Sequence, residues 1–255
     1  MKIYRFKHKN KMVYGVLKEE SLFPVEGSVF RSFKIKKEKI PISDVILLPP
    51  VKPSKIVAVG ANYRNHAVEM GRRLPEEPLI FLKPPSAVVG PNDIIVYPKM
   101  AKRVDYEGEM AFVIRKKARL LQKNDSVEGY ILGYTCFNDV TARDLQEKDG
   151  QFTRSKSFDT FAAVGPCIAT DVDPSGLKLK TFVNGKLRQS GSTRNLIFPV
   201  PFLIRFISNV MTLNPGDIIT TGTPAGVGPL MPGDRVDIQI EGIGTLSNTV
   251  MKIKS

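Results

Sequence analysis

A chain of 255 residues with 42% hydrophobic and 25% charged content is long enough to bury a core and too apolar to stay disordered. Its formal charge of +13 raises nucleic acid as a partner, but the densest basic run, RSFKIKKEK at Arg31–Lys39, alternates charge with apolar residues. That run has no zinc spacing, aromatic RNA-binding signature or phosphate loop beside it, so we read a solvated lysine-rich surface able to steer small anions, with no nucleic-acid partner.

In chain order, KIYRF, MVYGVL and SLFPVEG are short alternating runs separated by turn residues and predict a small β meander. Pro49, Pro50 and Pro53 follow; they continue neither a helix nor a central strand, and a domain junction is placed there. The division is a small N-terminal β domain over 1–50 and a main domain over 54–255. The main domain reads mostly as strands: KIVAVG, LIFL, DIIVYP, EMAFVI, YILGYTCF, FAAVGPCIA, LKLKTFVNG, DIITTG and RVDIQI. Helices are the minority, predicted at Asn65–Arg73 and at Val200–Leu213, the latter with Pro201 in its first turn. The fold class is predominantly β with a few helices. The opening MKIYRFKHKN lacks the apolar stretch of a signal peptide, and no apolar run reaches bilayer-spanning length, which predicts a cytoplasmic protein with no membrane contact. Cys136 and Cys167 lie inside apolar runs without CxxC spacing and read as reduced core residues.

In RVDYEGEMAFVI, Asp105, Glu107 and Glu109 alternate along an extended chain and share one face, a repulsive arrangement unless that face meets solvent or holds a cation. The apolar MAFVI that follows makes solvent the less comfortable choice. Asp139 also closes an apolar run, YTCFND, and an acid at the end of a buried strand needs a partner. With two histidines and no paired cysteines in the chain, a metal site here is all oxygen, which favours Mg²⁺, Mn²⁺ or Ca²⁺ over Zn²⁺.

The segments VDYEGEMAFVI, GYTCFNDVTARDLQ, KSFDTFAAVGP, VNGKLRQSGSTRNLIF, TLNPGDIITTGTPAGVGP and PGDRVDIQIEGIGTLSNTV occur in that order. Together they resemble the motif series of the fumarylacetoacetate hydrolase family over about Ser54 to Ile253. The resemblance implies a mixed β-sheet roll, a divalent metal, Mg²⁺ or Mn²⁺, held by Glu107, Glu109 and Asp139, and a homodimer. It is closest to the acylpyruvate hydrolases, oxaloacetate decarboxylases and isomerase-decarboxylases of homoprotocatechuate breakdown. The chemistry expected is cleavage of a C–C bond in a small anionic keto acid through a metal-stabilised enolate, with decarboxylation or isomerisation as alternatives at the same site. A non-catalytic basic binding protein is the reading of another class, and it leaves the acidic cluster unexplained.

His66 and Glu69, three residues apart, share a helix face, where the carboxylate can fix the imidazole tautomer. Read alone they are an exposed His beside a Glu; the resemblance makes them a catalytic pair, and the polar, turn-rich EMGRRLPEEP that follows predicts a lid over residues 65–78. Lys156, by itself one lysine among many, becomes an active-site cation by the same resemblance. Arg143 and Gln146, one turn apart, and Thr223, opening a glycine-rich turn, become substrate contacts. Two departures from the family pattern stand out: Gly108 between the glutamates, and the basic KMAKR at Lys99–Arg103.

Overall fold

The computed structural model describes residues 1–65 and 74–252. The meander forms as three antiparallel strands, β1 (Lys2–His8), β2 (Lys11–Lys18) and β3 (Ser21–Gly27). After the prolines come β4 (Ile56–Gly60), β5 (Leu79–Lys83), β6 (Ile94–Val96), β7 (Val104–Tyr106), β8 (Gly108–Ile114) and β9 (Ile131–Asp139). Two short helices follow, α1 (Arg143–Asp149) and α2 (Thr153–Lys156), then β10 (Ala162–Ala169), β11 (Lys178–Val183) and β12 (Lys186–Ser192). The chain closes with α3 (Val200–Val210), β13 (Ile218–Thr220), β14 (Gly228–Leu230), β15 (Arg235–Ile240) and β16 (Gly244–Met251).

The largest sheet runs β3-β2-β1-β10-β9-β8-β13-β4-β5. The meander joins this sheet through Lys2 and Ile3 of β1, which pair with Ala169 and Ile168 of β10. A second sheet, β6-β16-β15-β11-β12, packs on the first, and β7 lies between β14 and the Thr141–Ala142 bridge in a third. The basic run at Arg31–Lys39 contributes only the three-residue strand Phe33–Ile35.

β8 is buried on both faces, which explains its continuous apolar sequence. Met110, Phe112 and Ile114 enter a core shared with α3 and the second sheet, whereas Ala111 and Val113 face the other way, with Phe137 and Val164. α3 buries Val200, Leu203, Ile204, Ile207 and Ser208, the i, i+3, i+4, i+7, i+8 stripe of an amphipathic helix. Each large aliphatic side chain buried there stabilises the fold by about 1.5–3 kcal/mol. The helix stops at Val210, three residues short of the predicted end, because Met211 is extended (φ −150°). No described helix is long and apolar enough to cross a membrane. The predicted helix at Asn65–Arg73 falls, beyond its first residue, outside the described residues, and so do His66 and Glu69.

Candidate active site

Period-two alternation sets the floor of the site. Glu109 pairs across the sheet with Phe137, so Glu109 and Asp139 emerge from the same face of neighbouring strands. Glu107 lies between β7 and β8, its N–H bonded to the Asn138 side chain (3.0 Å) and its C=O accepting from the Asp139 N–H (2.9 Å). One carboxylate oxygen from each of Glu107, Glu109 and Asp139 lies within 4.8 Å of the others, and all three residues are buried.

Cations close in from two helices and one strand. α2 delivers Lys156, whose Nζ donates to Glu107 Oε2 (2.9 Å) and Asp139 Oδ2 (2.7 Å). It also sits 5.2 Å above the Phe81 ring, which packs edge-on against Phe152. From α1, Arg143 reaches Asp105 Oδ2 (2.9 Å), Glu107 Oε1 and Gln146 Oε1. Arg103 completes the neutralisation of Asp105 (2.8 Å), so one of the basic residues that looked out of place beside a metal site has an acidic partner. β5 supplies Lys83, wholly buried behind Asp139, donating to Asp139 Oδ1 and to the Val140 carbonyl (3.2 Å).

These neighbours separate two glutamates only two residues apart. Burial alone would raise Glu107, but Lys156 and Arg143 outweigh it and bring the carboxyl down to about 2. At Glu109, burial and then the charge of Asp139 push the carboxyl well above the usual range. Burial likewise works against the charge on Lys156, yet Asp139 and Glu107 hold it above the ordinary lysine value; for Lys83, burial prevails over Asp139 and lowers it.

Glu109 accepts the Gly222 N–H (2.9 Å) but has no cation at ion-pair distance among the described residues. The Tyr63 hydroxyl, also buried, lacks any hydrogen-bond partner among them. An all-oxygen triad with one uncompensated carboxylate and an orphaned hydroxyl fits a hard divalent cation, with Glu107, Glu109 and Asp139 as its ligands.

The Gly222 N–H, just ahead of Thr223, is taken by the protein's own Glu109. Thr223 lines the cavity while its hydroxyl is committed elsewhere: it donates to Gly108 O (2.8 Å) and accepts from Gln189 Nε2 (2.8 Å). Gln189 also accepts the Gly108 N–H (3.0 Å) and donates to Pro224 O (2.8 Å), tying turn and strand together. This arrangement accounts for Gly108. A Cβ there would lie 2.2 Å from Thr181 Oγ1 and 3.1 Å from Gln189 Oε1, because the second sheet crosses at that point. Asn62 braces the same turn from behind, donating to Phe198 O (3.1 Å) and Thr221 O (2.9 Å) and accepting the Phe198 N–H (2.7 Å).

The resulting cavity is about 50 Å³, and Lys156, Arg143, Gln146, Thr223 and the three acids all line it. Lys83, Gln189, Tyr63 and Asn62 are the contributors that sequence reasoning missed. Lys83 had one usable signal, a lysine closing the apolar LIFL run.

The comparisons fit this geometry. Residues 55–251 match the model described as fumarylacetoacetate (FAA) hydrolase C-terminal, and residues 1–50 match one described as Rv2993c-like, N-terminal. The oxaloacetate tautomerase YisK of Bacillus subtilis is 46% identical over 224 residues, 82% of this chain and 74% of that protein. The 2-hydroxyhepta-2,4-diene-1,7-dioate isomerase of Mycobacterium marinum superposes with a TM-score of 0.92 at 43% identity, covering 100% of both chains. A maleylpyruvate hydrolase from Sphingobium sp. SYK-6, solved with manganese(II) and pyruvate, superposes with a TM-score of 0.83 at 32% identity, again over 100% of both chains. Matched to the hydrolase model over most of its length, the chain belongs to the fumarylacetoacetate hydrolase family.

Proposed function

We propose that the chain is a divalent-metal-dependent enzyme acting on small 2-oxo acids that pass through an enol or enolate. Tautomerisation of an oxaloacetate-like diacid is the leading reaction. The observation that carries this reading is the buried triad of Glu107, Glu109 and Asp139, with ligand oxygens within 4.8 Å of one another, in a cavity of only about 50 Å³. Mg²⁺ or Mn²⁺ held by the triad would supply charge stabilisation to an enolate oxygen.

The chain's own groups divide the remaining work. Lys156 stays cationic and holds a substrate carboxylate or oxyanion. Arg143 is occupied by Asp105 and Glu107, so its part is to orient Glu107. Gln146 gives its carbonyl to Arg143 and keeps its amide nitrogen for the cavity. Lys83 does not line the cavity; its ion pair holds Asp139 in place. Phe81, Phe152, Val59 and Leu79 shield these charges from water and so strengthen them. Two copies of the chain form the working unit on this proposal, as the family resemblance implies.

Hydrolytic cleavage of an acylpyruvate is the second reading, favoured by the likeness to the hydrolase solved with manganese(II) and pyruvate. It requires a base for water, the role of His66 oriented by Glu69. Decarboxylation of oxaloacetate needs no such base. The test is a panel of enol oxaloacetate, keto oxaloacetate and acylpyruvates with Mg²⁺ or Mn²⁺, run on wild type and His66→Ala. On the leading reading enol oxaloacetate is turned over in a metal-dependent way. Acylpyruvate cleavage that falls by about 10²- to 10⁴-fold in His66→Ala selects the hydrolase, and no metal-dependent turnover of any of these acids overturns the proposal.

A further inference from the structure

A second buried charge lies far from the carboxylates in sequence, with no share in their cavity. Arg5 sits in the middle of β1 opposite Tyr14 of β2 and is 8% exposed. Its Nη1 donates to the Pro49 carbonyl (3.2 Å) and its Nη2 to the Met12 thioether (3.4 Å). Neither acceptor is charged, and a thioether is a weak one. Among the described residues no carboxylate comes within ion-pair distance of Arg5, whereas Arg143, nearly as buried, holds two. A guanidinium taken out of water without a counter-charge is costly, and the cost is relieved by any anion that reaches it.

Space for such an anion exists. Arg5 opens on a cavity of about 440 Å³ between the meander and the proline junction, walled by Leu48, Val51, Pro53 and Val88, with Lys52 beside it. This volume falls in the range of small-ligand sites. One buried cation, with Lys52 exposed beside it, in an otherwise apolar wall matches a single negative charge on an apolar body; a phosphate dianion would demand more buried donors than Arg5 alone offers. We propose that this cavity binds a small monocarboxylate with an apolar body, its carboxylate on Arg5 and its body against Leu48, Val51 and Val88.

The probes are benzoate and its neutral isostere benzamide, titrated into the full chain with methyl-labelled leucine and valine and followed by NMR. Benzoate shifts the Leu48, Val51 and Val88 methyls, and benzamide binds about tenfold more weakly or less, the worth of a charge-assisted hydrogen bond. Arg5→Met removes the benzoate response. Since that variant also alters packing, Met12→Glu provides the cleaner arm: Met12 is 61% exposed and already touches Nη2, so a carboxylate there supplies an internal counter-ion. Met12→Glu should lose benzoate about tenfold while Met12→Gln retains it. Equal binding of benzoate and benzamide, unchanged benzoate affinity in Met12→Glu, or shifts confined to Val59 and Leu79 beside the carboxylate triad would overturn the proposal.

Discussion

The carboxylate pocket and the Arg5 cavity both bury charge, but they do so in opposite ways. In the pocket, Asp105, Glu107 and Asp139 interlock with Arg103, Arg143, Lys83 and Lys156, so nearly every charge is shared between two partners. At Arg5 a single cation leans on a carbonyl and a thioether. Networked charges cannot be removed singly without stranding a neighbour, and mutational effects there do not add. An isolated charge can be changed with little consequence elsewhere. The contrast therefore predicts large, coupled effects in one place and small, independent ones in the other.

The largest effect belongs to Asp139→Asn, which takes away a proposed metal ligand and leaves Lys83 and Lys156 facing each other. Metal-dependent turnover should fall by more than the roughly 10- to 100-fold that loss of an outer-shell metal partner costs. Mn²⁺ affinity measured by calorimetry should fall with it. A variant that binds Mn²⁺ as wild type would remove Asp139 from the ligand set. Next comes Lys156→Gln, which frees Glu107 and Asp139 from an ammonium that competes with a dication for the same oxygens. Activity should be lost while Mn²⁺ binds more tightly, a split that distinguishes a substrate-binding cation from a structural one.

Gly108→Ala should cost about 1–3 kcal/mol in urea denaturation, as overpacking does, because its Cβ collides with Thr181 Oγ1. Relief by a second substitution, Thr181→Ala, would locate the strain. The pH response follows from the two glutamates. Glu107 is depressed, so its contribution to stability is present above the ordinary carboxylate value of 4.5 and is lost as pH falls towards about 2. Glu109 is raised; the native state then holds a proton that the unfolded chain releases, and stability drops as pH climbs above 4.5 towards its folded value. Metal-free protein should therefore lose stability on both sides of that point, and Glu109→Gln should flatten only the alkaline slope. Smallest of all, Met12→Glu should raise stability by up to about 1 kcal/mol, the scale of a partly exposed ion pair.

Legibility in the sequence followed the locality of the signal. Glu107 and Glu109 were readable because period two fixes their common face, and Asp139 because it closes an apolar run. Arg143 and Gln146 were readable as neighbours one helical turn apart, although the resemblance was needed to direct them to the pocket. Gln189 was not readable, and Lys83 only as a lysine closing the apolar LIFL run. Each is buried because another element arrives from far along the chain, Asp139 in one case and the Gly222–Pro224 turn in the other. The union of β1 with β10 was hidden for the same reason: strand pairing across more than 150 residues leaves no trace in local composition. The lysine-rich run at Arg31–Lys39 forms a strand only over Phe33–Ile35 and is exposed at every position but Phe33.

The missing side chain at Gly108 also has a consequence for how the chain folds. From Met110 to Ile114, β8 is wholly apolar and offers little to choose between one pairing register and the next, and a slip of one residue would turn every side chain to the opposite face. Such a slip would drive a glutamate into the space beneath Thr181, where not even a methyl group fits. That collision would disfavour the misaligned strand without any metal or substrate. A position with no side chain of its own would thus bias, during folding, which way Glu107 and Glu109 face.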